Sequence, residues 1–302
     1  MRRPAGPVLA AFVLVVLIGG SNFVAVRFSN RELPPFWGAG LRFAIAGALL
    51  LLFARWRRIP LPRGRALPGV VIFGLLNFGV TYALAYWGLL EAPAAMAATF
   101  VASVPLMTFV IATALGMERF RWGGLIGGGI ALAGVGVVFV DQLAANVPVA
   151  SLVALFLNAL GVAAGTILLK RLPRMDPIGT NAVAMLPGAA FLLVLAAIAG
   201  EHPVLPSRPE VWIAVVYLAT IGAIGLFYGI VYVVMRWTAS ASAYVTVLFP
   251  LVAGALGAIL ARELVSVQFL AGAILVMAGT YIGALAQPAP SRASERRATA
   301  ET

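Results

Sequence analysis

The sequence holds no cysteine, a single histidine and only ten acidic residues in 302. Without cysteine there are no disulfides and no thiolate chemistry, and nothing follows about redox compartment. One histidine, His202, cannot supply the clustered imidazoles and carboxylates that hold a metal or run acid–base catalysis. No metal and no cofactor are therefore expected. Charged residues make up 10% of the chain and hydrophobic ones 62%, whereas a soluble domain carries about 25% charged residues. Too little polar surface remains to wrap a water-facing body. What the chain has instead is apolar length. Stretches of about twenty residues recur from end to end, each enough to cross a hydrocarbon core roughly 30 Å thick. Membrane strands are not expected, because the runs are too long and lack the alternation of a barrel.

The formal net charge of +11 raises the possibility of nucleic acid as a partner. That would need a basic face on a folded domain, yet the Lys and Arg residues sit in short connectors between apolar runs. No nucleic-acid partner is expected; the partners are the lipid bilayer and whatever small molecule the protein handles. The start, MRRPAGPVLAAFVLVVLIGGSNF, has the outline of a secretory signal. No A-x-A-like site follows it and further spans come after, so it reads as the first span.

Ten spans are predicted: Pro7–Val26, Phe36–Phe53, Leu67–Gly88, Ala94–Leu115, Gly123–Val140, Pro148–Leu169, Ile178–Ala199, Val211–Met235, Ala239–Ala261 and Val267–Ala286. The polar, Pro/Ala/Ser-rich tail, 287–302, reads as a disordered cytoplasmic segment. With the N-terminus inside, sixteen Lys and Arg fall on the cytoplasmic side, four on the far side, and Arg42 within a span. That bias predicts both termini in the cytoplasm and an even number of spans. The expected location is the inner (plasma) membrane, multi-pass.

Two segments share an unusual break. VASVPLMTFVIATALGMERF (101–120) and TVLFPLVAGALGAILARELV (246–265) each carry one mid-run proline, Pro105 or Pro250, then a glutamate, Glu118 or Glu263. Both offsets are 145 residues. In the same register Ala94, Ala98, Leu106, Leu115, Leu125, Gly127, Ala133 and Gly134 meet identical partners, giving ten identities over residues 94–139. The chain is therefore predicted to be two copies of a five-span unit, 8–140 and 149–286. Five is odd, so the second copy enters the bilayer from the opposite side. The expected fold class is an all-α polytopic membrane protein with ten transmembrane helices as two inverted five-helix repeats. Such symmetry underlies alternating access in many secondary transporters.

These residues resemble the drug/metabolite transporter superfamily, in its EamA-type ten-helix branch. PPFWGAGLRFAIAGALLLLF is similar to that family's Pro-to-Arg-Phe entry into a second span. GMERFRWGGLIGGGIALAGVGVV and ARELVSVQFLAGAILVMAGTYIG resemble its repeated glutamate followed by a Gly-rich helix. SNFVAVRFS and AAGTILLKR resemble its first-helix endings, closing on Arg27 and Lys170. One departure is visible: a tryptophan often found midway along the first helix of each half is absent, with Gly19, Gly20 and Gly161 in that neighbourhood. The resemblance implies export of small metabolites, often amino acids and sometimes drugs or toxic analogues, with import in some members, and no enzymatic activity.

Substrate-binding candidates are polar and aromatic residues on helices that would face a central cavity: Asn22, Asn77, Tyr82, Tyr86, Ser103, Asn158, Tyr228, Tyr232 and Tyr244. Tyr82 with Tyr86, and Tyr228 with Tyr232, are four apart and share a helix face. An aromatic, weakly polar pocket suits amphipathic solutes such as aromatic or apolar amino acids; tyrosines in membrane proteins also populate the headgroup belt. Pro105 and Pro250 each delete a backbone hydrogen bond and are predicted as hinges or as static packing bends. Glu118 and Glu263 lie about 20 Å beyond them, at the interface, where capping of the next helix competes with a charge role. Arg42 is costly facing lipid; it is predicted to snorkel, meet a helix C-terminus or bind an anionic substrate group. Apart from Arg42, the span interiors hold no Asp, Glu, Lys or His, which disfavours a buried proton relay. An intramembrane enzyme on lipid phosphate and a channel-like facilitator are the rival functions. Substrate identity, direction of flux, coupling ion and oligomeric state are not legible.

Overall fold

The computed structural model describes residues 6–117, 122–144, 146–173, 175–236, 245–262 and 266–282. Within them seven helices are long and apolar enough to cross a membrane, and three shorter apolar helices bring the set to ten. In chain order they are α1 (Gly6–Ser29), α2 (Pro35–Trp56), α3 (Ala66–Gly88), α4 (Ala94–Ala114), α5 (Trp122–Ala144), α6 (Val149–Arg171), α7 (Pro177–Ile198), α8 (Pro209–Ala219 continuing through Leu226–Arg236), α9 (Val245–Leu260) and α10 (Val267–Thr280). The predicted spans agree with these to within a few residues, except where 239–244 and 283–286 fall outside the described segments. Large apolar side chains stand exposed on the outer surface, Leu52, Ile198, Ile213, Ile259 and Val267 among them. On a soluble protein such a surface would aggregate; here it faces hydrocarbon. Trp56 and Trp122, both largely exposed, sit at the same end of the bundle, as belt residues do.

The contacts between helices obey the repeat. α1 packs on α8 and α9, and its counterpart α6 packs on α3 and α4. α2 packs on its own counterpart α7, and α5 on α10. A twofold axis in the membrane plane, relating each helix to the one five later, generates this pattern. The α5–α10 contact uses the glycines that the 145-residue register pairs. A Cβ on Gly134 would meet the Gly272 carbonyl oxygen at 2.7 Å, and one on Gly279 would meet Ala131 N at 2.4 Å. Because the obstacle is backbone, no side-chain rotation relieves it. The Gly-rich stretch thus serves close packing within the chain.

Backbone irregularities repeat as faithfully as contacts. α3 contains a π-helical turn at Leu75–Val80, and α8 contains one at Thr220–Gly225. These ranges are again 145 residues apart. α4 breaks at Ser103 (φ −83°, ψ −8°) and α9 at Leu248 (φ −89°, ψ −9°), each two residues before its proline. The prolines cannot donate to the preceding turn, so the chain restarts a helix with Pro105 or Pro250 in its first turn. At the α4 break the Phe100 carbonyl accepts from both Ser103 N at 3.1 Å and the Ser103 hydroxyl at 2.6 Å.

Candidate functional site

A cavity of about 610 Å³ lies between the two repeats. Its wall is mostly apolar and aromatic, with Phe23, Phe73, Tyr82, Phe227 and Phe249 contributing. Asn22, Arg42, Asn77, Tyr86 and Asn158 supply polar atoms deep inside. Toward the N-terminal end of α1 the lining passes to Lys170, Pro173, Met175 and Pro177 in the α6–α7 connection. Leu169, Lys170 and Pro173 are exposed there, and the cavity opens at that face.

The polar floor is built around the π-turns. In such a turn the ladder widens and carbonyls lose their ordinary partners. The Gly222 carbonyl in α8 accepts from Asn22 Nδ2 of α1 at 2.8 Å and from Arg42 Nη2 of α2 at 3.1 Å. Asn158 Nδ2 of α6 donates to the Thr81 carbonyl, just past the α3 turn, at 2.8 Å. Each first helix of a repeat therefore sends an amide into the irregular helix of the other repeat. Arg42 is only 1% exposed, so of its three predicted roles snorkelling is overturned. Its guanidinium lies 5.1 Å from the Phe43 ring centroid and 5.3 Å from that of Tyr82.

The opposite end of the cavity is tied shut by links between repeats. α2 begins Pro34–Pro35 and has no side-chain cap of its own. Its first free donors, Phe36 N and Trp37 N, reach the Glu201 carboxylate from the α7–α8 connection at 3.2 and 2.7 Å. Trp37 Nε1 also donates to the Val204 carbonyl. A carboxylate at a helix N-terminus is doubly favoured, by orphan N–H groups and by the dipole. Beside it Glu32 accepts from Ser207 N and Oγ, both at 2.7 Å, and pairs with Arg208 at 3.3 Å. The Ser207 hydroxyl first, then the backbone amides and Arg208, hold the Glu32 carboxyl below its ordinary range. At the open face, by contrast, α7 is capped by its own Asp176, which accepts from Ile178 N and Gly179 N. Equivalent helices are thus capped differently: in trans at the closed end, in cis at the open one.

Of the predicted binding residues, Asn22, Asn77, Tyr82, Tyr86 and Asn158 converge on the cavity. Ser103 does not: it is buried and spent on its own helix. Tyr228 points outward, 61% exposed on the lipid-facing surface. The helix carrying Tyr232 is described but its side chain is not, while Tyr244, Glu118 and Glu263 lie outside the described residues. The missing tryptophan of the first helix has a physical counterpart. A Cβ at Gly19 would lie 2.1 Å from the Phe249 ring, so α9 supplies the aromatic group that α1 lacks. Glu32 and Glu201 were not singled out from sequence; the capless Pro34–Pro35 start was the available signal that α2 takes its cap from elsewhere.

Two inverted five-helix units enclosing a cavity are the architecture of a membrane transporter of the inverted-repeat class. The chain belongs to the EamA-like transporter family, which matches it twice, over residues 6–140 and 149–284. The chain is 28% identical over 277 residues to the uncharacterized inner membrane transporter YedA of Escherichia coli K12, covering 90% of this chain and 89% of that protein. It is 27% identical over 283 residues to a probable amino-acid metabolite efflux pump of Salmonella typhimurium, covering 89% and 92%. A probable terminal-alkyne amino-acid exporter of Streptantibioticus cattleyicolor is 29% identical over 133 residues, 43% and 44% of the two chains. A crystal structure of another protein, 20% identical, superposes with a TM-score of 0.65 over 96% of this chain and 98% of that one.

Proposed function

We propose that the protein is a secondary transporter that exports small organic solutes, amino acids foremost, by alternating access in the inner membrane. The observation that carries this is the cavity itself: enclosed between inverted repeats, polar at its floor, open at one face and tied at the other. Helices of the two interlocked units rock around the central cavity, with Pro105 and Pro250 as bends that change angle. Asn22, Asn77, Tyr82, Tyr86 and Asn158 touch the solute. The open face carries Arg57, Arg58, Arg63, Arg65, Lys170 and Arg171 and is cytoplasmic by the positive-inside rule. Both termini then lie in the cytoplasm and the conformation is inward-open. The amino-acid preference is supported by the names of two relatives and by the aromatic, amphipathic lining. Counterflow in proteoliposomes with radiolabelled proteinogenic amino acids tests it. Saturable exchange of at least one supports the proposal; a protein that moves none of them, while retaining its fold, overturns it.

A further inference from the structure

We infer that Arg42 is the carboxylate anchor of the cavity, so that the transported solute is a free amino-acid zwitterion, its carboxylate on Arg42 and Tyr86 and its ammonium facing Asn22. This presupposes the transport function proposed above and narrows it to a chemical class.

Arg42 brings a guanidinium cation into the bilayer span, about 10 Å along α2. At 1% exposure it reaches neither headgroups nor bulk water. A charge placed so deep needs a partner. Its partners are neutral ones, the Gly222 carbonyl that accepts from Nη2 and the Tyr86 hydroxyl beside the guanidinium, and its Nε is buried with no acceptor. Among the described residues, no Asp or Glu lines the cavity, so the fixed positive charge there has no counter-charge.

Two more buried polar atoms of the same cavity are unsatisfied: the Tyr86 hydroxyl and Asn22 Oδ1. The three belong to one cluster. Asn22 shares the Gly222 carbonyl with Arg42, and Tyr86 lies within electrostatic reach of the guanidinium. Unsatisfied buried polar atoms are rare in folded proteins, and together they describe what would satisfy them. The free donors, Arg42 Nε–H and Tyr86 O–H, match the two oxygens of a carboxylate, where charge-assisted hydrogen bonds are strongest. The free acceptor, Asn22 Oδ1, matches an ammonium. A cation without a carboxylate would meet Arg42 as a like charge, and a carboxylic acid without an amine would leave Asn22 unpaired. The aromatic wall beyond takes the side chain.

The test uses purified full-length protein in proteoliposomes, with counterflow of labelled L-phenylalanine, L-leucine and L-threonine. The competitors are each amino acid, its C-terminal amide and its deaminated acid. Free amino acids are expected to compete, with the amides at least tenfold weaker and the deaminated acids weaker to a smaller degree. Tyr86→Phe should raise the half-saturating concentration about tenfold while leaving the discrimination against amides in place. Arg42→Lys, which keeps the charge but not the fork, should weaken that discrimination. Amides that compete as well as the free amino acids overturn the carboxylate anchor and leave the transport function standing. Competition by deaminated acids as strong as by amino acids keeps the anchor and removes the zwitterion from the inference. If no amino acid moves at all, the transport function fails and the anchor falls with it.

Discussion

At the residue scale the cavity floor holds one contact twice with its partners exchanged. Asn22 of α1 lies against Gly222 of α8, where a Cβ would stand 2.4 Å from Asn22 Oδ1. In the other half Asn77 of α3 lies against Gly165 of α6, where a Cβ would stand 2.9 Å from Asn77 Oδ1. Residue 77 pairs with 222 at an offset of 145, and the first-helix endings that pair Arg27 with Lys170 at 143 pair Asn22 with Gly165, so asparagine and glycine have swapped sides. The tighter contact should be the costlier to fill. Gly222→Ala is expected to destabilise by about 1–3 kcal/mol, because it also drives Asn22 off the Gly222 carbonyl, and Gly165→Ala by about 1 kcal/mol or less. Thermal unfolding in one detergent checks the order, and a reversed order would contradict it. The asparagines were legible in the sequence because an amide in an apolar run must find a partner. Their partner was not, since a carbonyl freed by a widened turn leaves no mark on residue type. The same scale governs pH. The Glu32 pKa is lowered in the folded protein, so its contribution is complete above the ordinary carboxylate value of 4.5 and is lost as pH falls through the lower folded value. Spin labels at Asn30→Cys and Val204→Cys should therefore report one unchanged distance from pH 7 to 5. A separation that changes between pH 6 and 7 would assign the closed end to some other titrating group.

At the element scale, the matched breaks at Ser103 and Leu248 were anticipated from Pro105 and Pro250, because proline's missing N–H and ring clash are local and sequence-visible. The matched π-turns were not. The segments that form them, LLNFGV and TIGAIG, share no residue at any aligned position and contain nothing that marks a widened turn. Their cause is tertiary: side chains from helices across the repeat boundary supply what the ladder gives up. If the proline bends change angle during transport, Pro105→Ala and Pro250→Ala should each restore a backbone hydrogen bond, raise the unfolding temperature and slow exchange several-fold with little change in half-saturation. Unaltered exchange rates in both variants would make the bends static packing features. Tyr228 shows the limit of spacing arguments. Its four-residue interval to Tyr232 suggested a cavity-lining face, but the hydrophobic pattern of a span that is apolar all round does not say which face looks inward.

At the scale of the whole molecule, the repeat read from ten identities reappears in helix contacts, helix breaks and π-turns, so the architecture was largely written in the sequence. Orientation rests on the charge bias, and the cysteine-free chain permits a clean measurement. Single cysteines at Arg58 and Arg171 should react with membrane-impermeant maleimide from the same side, and one at Arg208 from the opposite side. Arg58 and Arg171 on opposite faces would break the inverted topology. The asymmetric caps, Glu201 in trans on α2 and Asp176 in cis on α7, were hidden from sequence because a cap delivered across the molecule depends on which face is shut. The two widened turns carry a further implication about descent. They occupy the same place in both halves although the letters spelling them have drifted completely apart. An extra residue inserted independently at one spot in each half would be a coincidence; inherited once, it needs no second event. A unit that doubled with its widened turn already in place would carry that shape into both halves without keeping a single shared letter.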